Sequence, residues 1–407
     1  MTNGVPARPS DPAGGAPAGQ NSGAPLSRRP RLVVLDGLRI LAALAVVCYH
    51  YVSGAERYWL ADGLQTFPTL RHVTNYGWLG VDLFFLISGF VICMSSWDRG
   101  LGDFFISRVT RLYPAYWFAV LFTSGILWVW QTSLPGPTPA KVLANLTMMQ
   151  TGLAERDIDG PYWTLWLELL FYLLFAVVVW RGVTYRRAVV FCVLWLITSA
   201  VAWTSGGVVA QALSPHYSMY FTAGIAIYLM HRFRPTPVLW GIVGFSWLLA
   251  LYGLSPRLTS ISYSIGEKVY WPVAAAVVSA SFAAVIVVGL GWLNRVQWRW
   301  LTTAGTLTYP LYLLHAGIGY AVIYHLSPIV PKYVLLGGLI VSMLVFAWLV
   351  HRFVEKPVAA RLKRGLSRGI ADLRRGASDP PVREARHPLR VDLLNVAEPP
   401  AQRTPQP

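Results

Sequence analysis

Ten apolar stretches, each close to the length a helix needs to cross a bilayer, divide this chain of 407 residues. They lie near 33–52, 77–96, 112–131, 161–180, 187–204, 217–231, 237–254, 271–290, 302–323 and 333–352. A spanning helix takes about 20 residues, so the run at 217–231 is short. In lipid every backbone N–H and C=O must be paired inside the protein, and runs of this length meet that demand as helices. The expectation is an all-α polytopic transmembrane helix bundle of about ten spans. Composition agrees, since 13% of residues are charged against about 25% in soluble domains.

The formal net charge of +16 is not a nucleic-acid signature, because the basic residues sit at the tails and in short loops between apolar runs. Arg99, Arg108 and Arg111, then Arg181, Arg186 and Arg187, then Arg232 and Arg234, then Arg295 and Arg299 fall on one side. Arg28, Arg29 and Arg31 precede the first run, and Arg352, Lys356, Arg361, Lys363 and Arg364 follow the last. The alternate loops are longer yet less basic. That bias places both termini in the cytoplasm, in the cell membrane, with the lipid bilayer as the first partner. Residues 1–31 are rich in Pro, Gly and Ala and read as a disordered tail, not a cleaved signal peptide. Residues 32–360 form the membrane domain. Residues 361–407 read as a basic cytoplasmic tail, amphipathic at first and then disordered. Cys48, Cys93 and Cys192 each lie inside an apolar run, at spacings that match no metal or redox motif.

Polar residues inside the apolar runs carry the functional signal. Arg39 and His50 are eleven positions apart in the first run. On an ideal helix they share a face within about 20° and stand roughly 16 Å apart. Asp82, Glu168 and His315 fall in the second, fourth and ninth runs. The charge-derived topology puts His50, Asp82 and Glu168 in the outer half of the bundle, with His315 near mid-depth. Arg108 and Arg111, spaced i, i+3 at an inner mouth, project to one side of a helix and suit a phosphorylated ligand. Each has a structural alternative: positive-inside bias for the two arginines, a helix-to-helix hydrogen bond for Asp82, packing against backbone carbonyls for His315, and one buried ion pair for His50 and Glu168.

Five stretches also carry a resemblance. They are Leu35-Asp-Gly-Leu-Arg39 with His50; Gly80-Val-Asp82-Leu-Phe-Phe-Leu-Ile-Ser88-Gly-Phe90; Phe105-Ile-Ser-Arg108-Val-Thr-Arg111-Leu-Tyr-Pro114; Trp163-Thr-Leu165 with Glu168, Phe171 and Tyr172; and Thr308-Tyr309-Pro-Leu-Tyr-Leu-Leu-His315 with Val354-Glu-Lys-Pro357. In this order they resemble the membrane-bound acyltransferase-3 family, whose members O-acylate sugars, polysaccharides and some antibiotics. Thr164 stands where the family usually has Ser, Trp166 where a small residue is common, and Leu169 where a second carboxylate is frequent.

The resemblance implies transfer of an acyl group, acetyl by default, from cytoplasmic acyl-CoA to a hydroxyl of a carbohydrate or glycosylated acceptor. It implies no bound cofactor and no metal. His50 would be the general base, with Glu168 orienting it or holding the acceptor. Arg108 and Arg111, with Arg39, would hold the donor phosphates. Asp82, Ser88, Trp163, Tyr309 and His315 complete the expected substrate-binding set. No extracytoplasmic hydrolase-like domain follows the last run in this chain, so transfer is expected within the membrane domain or with a partner. A transporter or flippase of a glycolipid, polysaccharide unit or acyl carrier is the alternative that basic mouths and midplane carboxylates also fit.

Overall fold

The structure is a computed structural model that describes residues 32–378 apart from 61–65, 133–135, 205, 206 and 208–212. Both expected disordered tails lie outside these limits, except that 361–378 continue a helix. Among the described residues all regular structure is helical. The α-helices are α1 (Val33–Cys48), α2 (Pro68–Thr74), α3 (Gly80–Ser96), α4 (Leu101–Val129), α5 (Pro139–Leu146), α6 (Trp163–Trp180) and α7 (Tyr185–Val201). They continue as α8 (Ser218–Arg232), α9 (Pro237–Tyr252), α10 (Leu254–Ile265), α11 (Trp271–Gly289), α12 (Arg299–Leu326), α13 (Lys332–Val350) and α14 (Lys356–Ser378).

Each of the ten apolar runs is a helix, within a few residues of its expected limits except at the start of α4, which begins eleven residues before the run at 112–131. Seven helical stretches among the described residues are long and apolar enough to cross a membrane. The runs that become α7, α8 and α12 are helices outside that set. Local chemistry sets several boundaries. Thr138, Thr184 and Thr236 each accept a backbone N–H as N-caps of α5, α7 and α9, and Pro139 and Pro237 occupy the first helical turn, where an N–H is not needed.

Two helices end in wider π turns, Tyr49–Gly54 after α1 and His351–Glu355 after α13. Both carry ionisable residues that matter below.

The bundle is held largely by close approach of small residues, the device available where lipid offers no hydrophobic drive between helices. The tightest crossing is α3 on α8. A Cβ at Gly89 would lie 2.1 Å from the Phe221 carbonyl oxygen, and one at Gly224 2.1 Å from that of Leu86. Backbone meets backbone there, and α8 is buried at every residue from Ser218 to Met230. Beyond the His50 end of α1, the connecting segments are stapled by Arg71, whose guanidinium reaches Glu56 (2.7 Å), Glu267 (3.0 Å) and the Ile265 carbonyl (2.7 Å).

Candidate active site

A cavity of about 360 Å³ opens among α1, α3, α4, α6 and α12. Arg39 enters it from α1, Arg108 and Arg111 from α4, Glu168 and Tyr172 from α6. The three arginines expected to converge do so. They are held differently. Arg39 has Asp36 one turn away at 3.7 Å. Arg111 reaches Glu355 of the second π turn at 3.3 Å, and Glu355 also takes His351 Nδ1 at 2.9 Å. Arg108 donates to Ser107 (2.8 Å) and Ser95 (3.3 Å), while its buried Nε has no hydrogen-bond partner among the described residues. With 42% of its side chain exposed, Arg111 marks an open end of the cavity.

Glu168 lies in this arginine chamber. Its Oε1 accepts the Ser88 hydroxyl at 2.9 Å and also the Tyr172 hydroxyl. Of its two expected roles, orienting His50 or holding the acceptor, the first has no direct contact here, since the hydrogen-bond partners of the His50 ring are the Val46 carbonyl and His315. Helical depth alone could not reveal this: Glu168 faces α3 and α4, not the end of α1. Ser88 and Tyr309 line the cavity. Tyr309 donates to the Leu112 carbonyl at 3.0 Å.

Two expected members stand elsewhere. Asp82 is on another face of α3 from the lining residues and is bound by both terminal nitrogens of Arg257, at 2.8 and 3.0 Å, with Tyr220 on the same guanidinium. That buried pair is the interhelical tie that its alternative reading described, and its partner comes from a segment that reads in sequence as a loop. Trp163 packs on Tyr217 and Phe85. Of the three departures from the family pattern, Thr164 lines the cavity and bonds Tyr312 Oη at 2.9 Å, whereas the Trp166 ring lies against Gly152 in the connecting loop. Neither Trp166 nor Leu169 is among the lining residues.

His50 and His315 form a pair next to Tyr312, which lines the cavity and packs on the His315 ring with centroids 5.7 Å apart. His50 Nδ1 is 2.9 Å from the Val46 carbonyl and 3.1 Å from His315 Nε2. His315 Nδ1 is 2.8 Å from the Tyr312 carbonyl. A carbonyl oxygen only accepts, so in the neutral rings each Nδ1 carries the proton. His315 Nε2 is then the acceptor, and His50 Nε2 keeps a bare lone pair. His50 sits in the π turn and stays half-buried.

Residues that the sequence reading did not single out complete the arrangement. Tyr312 separates the two regions, Glu355 holds Arg111, and Asp36 lines the arginine chamber. Glu355 had a signal, since it lies in the Val354-Glu-Lys-Pro357 stretch.

Two regions thus follow each other along the bundle, one rich in guanidinium groups and one carrying an unprotonated imidazole nitrogen. The acyltransferase-3 family model, described as an acyltransferase domain, matches residues 32–352. The chain belongs to that family. Similar curated proteins include acyltransferase MdmB of Streptomyces mycarofaciens, 35% identical over 152 residues, which are 36% of this chain and 38% of that protein. Peptidoglycan O-acetyltransferase OatA of Listeria monocytogenes is 32% identical over 94 residues, 21% of this chain and 12% of OatA. Putative peptidoglycan O-acetyltransferase YrhL of Bacillus subtilis is 30% identical over 102 residues, 23% and 13% of the two chains. The chain thus spans well under half the length of these relatives. No solved structure matches.

Proposed function

We propose that this protein is a membrane O-acyltransferase that carries an acyl group, acetyl by default, from cytoplasmic acyl-CoA to a hydroxyl of a carbohydrate or glycosylated acceptor. The observation that carries the reading is the convergence of Arg39, Arg108 and Arg111 on one cavity whose volume falls in the usual range of ligand sites. Guanidinium groups suit phosphates because they offer charge-assisted, paired hydrogen bonds. With no partner among the described residues, the buried Nε of Arg108 is a donor ready for such an oxygen.

In the proposed reaction the acyl chain points past Tyr312 toward the histidine pair. His50 Nε2 takes the proton from the acceptor hydroxyl as its oxygen attacks the thioester carbonyl. The C–S bond breaks, and the CoA thiolate leaves and takes up a proton. His315 accepts the His50 Nδ1–H and keeps the base in the tautomer that can act. Glu168, Ser88 and Tyr172 form a hydrogen-bonded wall of the donor chamber, with Glu168 offsetting the arginine charge. The peptidoglycan O-acetyltransferase names among the relatives favour a glycan hydroxyl as acceptor.

The test is turnover of labelled acetyl-CoA by the purified full chain in nanodiscs with muropeptides or simple glycosides as acceptors. His50→Ala is expected to lower turnover by about 10²–10⁴-fold with an unchanged melting temperature. Full activity in that variant removes His50 from the mechanism. Labelled glycolipid crossing proteoliposomes without acyl transfer would reassign the protein as a transporter.

A further inference from the structure

The stretch of α12 that carries His315 is gripped from outside its own helix at three places. Tyr162 Oη donates to the Leu313 carbonyl (3.2 Å) and Tyr51 Oη to the His315 carbonyl (2.9 Å). Asp159, in the segment before α6, accepts the Gly317 N–H with both carboxylate oxygens, at 3.0 and 2.9 Å. Only 2% of Asp159 is exposed. Two of the three grips come from one short segment, Asp159 and Tyr162, and they hold residues on either side of His315. Gly317 makes the third possible, because a Cβ there would stand 3.2 Å from Asp159 Oδ2 and 2.9 Å from Thr123 Cγ2. A carboxylate is a costly group to bury against two backbone donors, the Gly317 and Gly160 N–H groups, and a loop can be fastened by a neutral side chain at less cost.

We propose that Asp159 is a positioning residue for the histidine pair: by holding the Gly317 N–H it sets the height of the α12 turn at which His315 Nε2 meets the Nδ1–H of His50. The consequence for catalysis rests on the reading of His50 as base. The structural coupling does not. Burial raises the Asp159 carboxyl to about 7, against the pull of the Gly317 and Gly160 N–H groups, with Asp157 adding in the same direction as burial. The grip therefore exists at neutral pH in both protonation states, since either leaves an oxygen to accept the N–H.

The experiment is ¹⁵N-histidine NMR of the full chain in nanodiscs, with the two resonances assigned by His50→Gln and His315→Gln. The wild-type protein is expected to show both rings protonated at Nδ1. Asp159→Ala should convert them to mixed tautomers, and Gly317→Ala, which displaces the carboxylate with Asp159 intact, should do the same. Asp159→Asn, whose amide oxygen can still accept the N–H, should keep the wild-type pattern. In the acetyl-CoA assay, Asp159→Ala should lower kcat by about 10–100-fold, the scale of a misplaced group, with KM for the donor within a factor of about two, and Asp159→Asn should restore most of kcat. Wild-type tautomers in both Asp159→Ala and Gly317→Ala overturn the proposal, as does a KM defect without a kcat defect. Full turnover in His50→Ala instead overturns the base assignment, and the spectra then decide the role of Asp159 alone.

Discussion

At the scale of single residues, the arginine chamber contains two buried donors without a partner among the described residues, Thr308 Oγ1 and Arg108 Nε, the latter with Ser107 and Ser95 on another nitrogen of the same guanidinium. A charge-assisted hydrogen bond contributes about 1.5–3 kcal/mol. Arg108→Ala should therefore weaken CoA binding by roughly 10–100-fold, measured by titration calorimetry, and an unchanged affinity would place the phosphates elsewhere. Asp159 supplies a separate, ligand-free test. Its carboxyl titrates near 7 in the folded protein because of burial, against about 3.9 in an unfolded chain. Between those values the native state holds more protons than the unfolded one, so this group's contribution to stability is present below about pH 4 and is lost as pH rises toward 7. Asp159→Asn should flatten the fall in melting temperature across that window. An unaltered slope would mean that the carboxyl titrates normally. His50, His315, Arg39 and the Arg108–Arg111 pair are legible in the sequence because each is polar where its surroundings are apolar or where a mouth must be. Asp159 is not, since it sits among Glu155 and Asp157 in a Pro- and acid-rich loop and looks solvated. Glu168 is legible as a site residue but not by partner: the rotation of α6 about its own axis decides between His50 and Ser88, and period alone does not resolve it.

At the scale of elements, the position of Ser88 depends on the next residue. Gly89 lets α3 lie directly on α8, and that contact fixes the face of α3 that turns Ser88 toward Glu168. A methyl group at Gly89 or Gly224 would meet a carbonyl oxygen 2.1 Å away. Backbone cannot rotate aside as a side chain can, so Gly224→Ala should cost about 3 kcal/mol, the upper end for overpacking. A clear drop in melting temperature in detergent is expected, against no change for Gly241→Ala, where a Cβ meets nothing within 4 Å. Equal melting of the two variants would show that the helices can separate freely. The ten helices are legible because long apolar runs have one solution in lipid. The π turns at Tyr49–Gly54 and His351–Glu355 are not, because a shift of one residue in the hydrogen-bond ladder leaves no mark on hydropathy. The same holds for α10: it reads as a loop, yet it continues the helical stretch that begins at Pro237 and delivers Arg257 to Asp82.

At the scale of the whole molecule, the proposed direction of transfer depends on which end of the bundle faces the cytoplasm. Cys93 and Cys192 are buried and Cys48 is half-buried, so the native thiols give little background to a labelling test. Ser260→Cys in α10 and Ser367→Cys in α14, both at exposed positions, should report opposite sides. A membrane-impermeant maleimide on intact cells should label the first and reach the second only after lysis. The reverse pattern would put the arginine chamber away from the cytoplasm and sink the acyl-CoA reading. The orientation would also set α14 at the inner leaflet, where Arg361, Lys363, Arg364 and Arg368 are exposed beside a half-buried stripe of Val358, Leu362, Leu366 and Ile370. One helix has a consequence for how such a bundle is made. With 15 residues, α8 is about 22 Å long, shorter than the hydrocarbon core, and nearly all of its surface is covered by protein. Lipid cannot be what draws it out of the insertion machinery. Its glycine-matched neighbour α3 is already synthesised when α8 emerges, and α7 immediately precedes it. The order of synthesis thus presents part of a proteinaceous berth before the short helix needs one, and α9, made next, completes it, so biogenesis of this bundle should be most vulnerable after α8 leaves the ribosome and before α9 joins it.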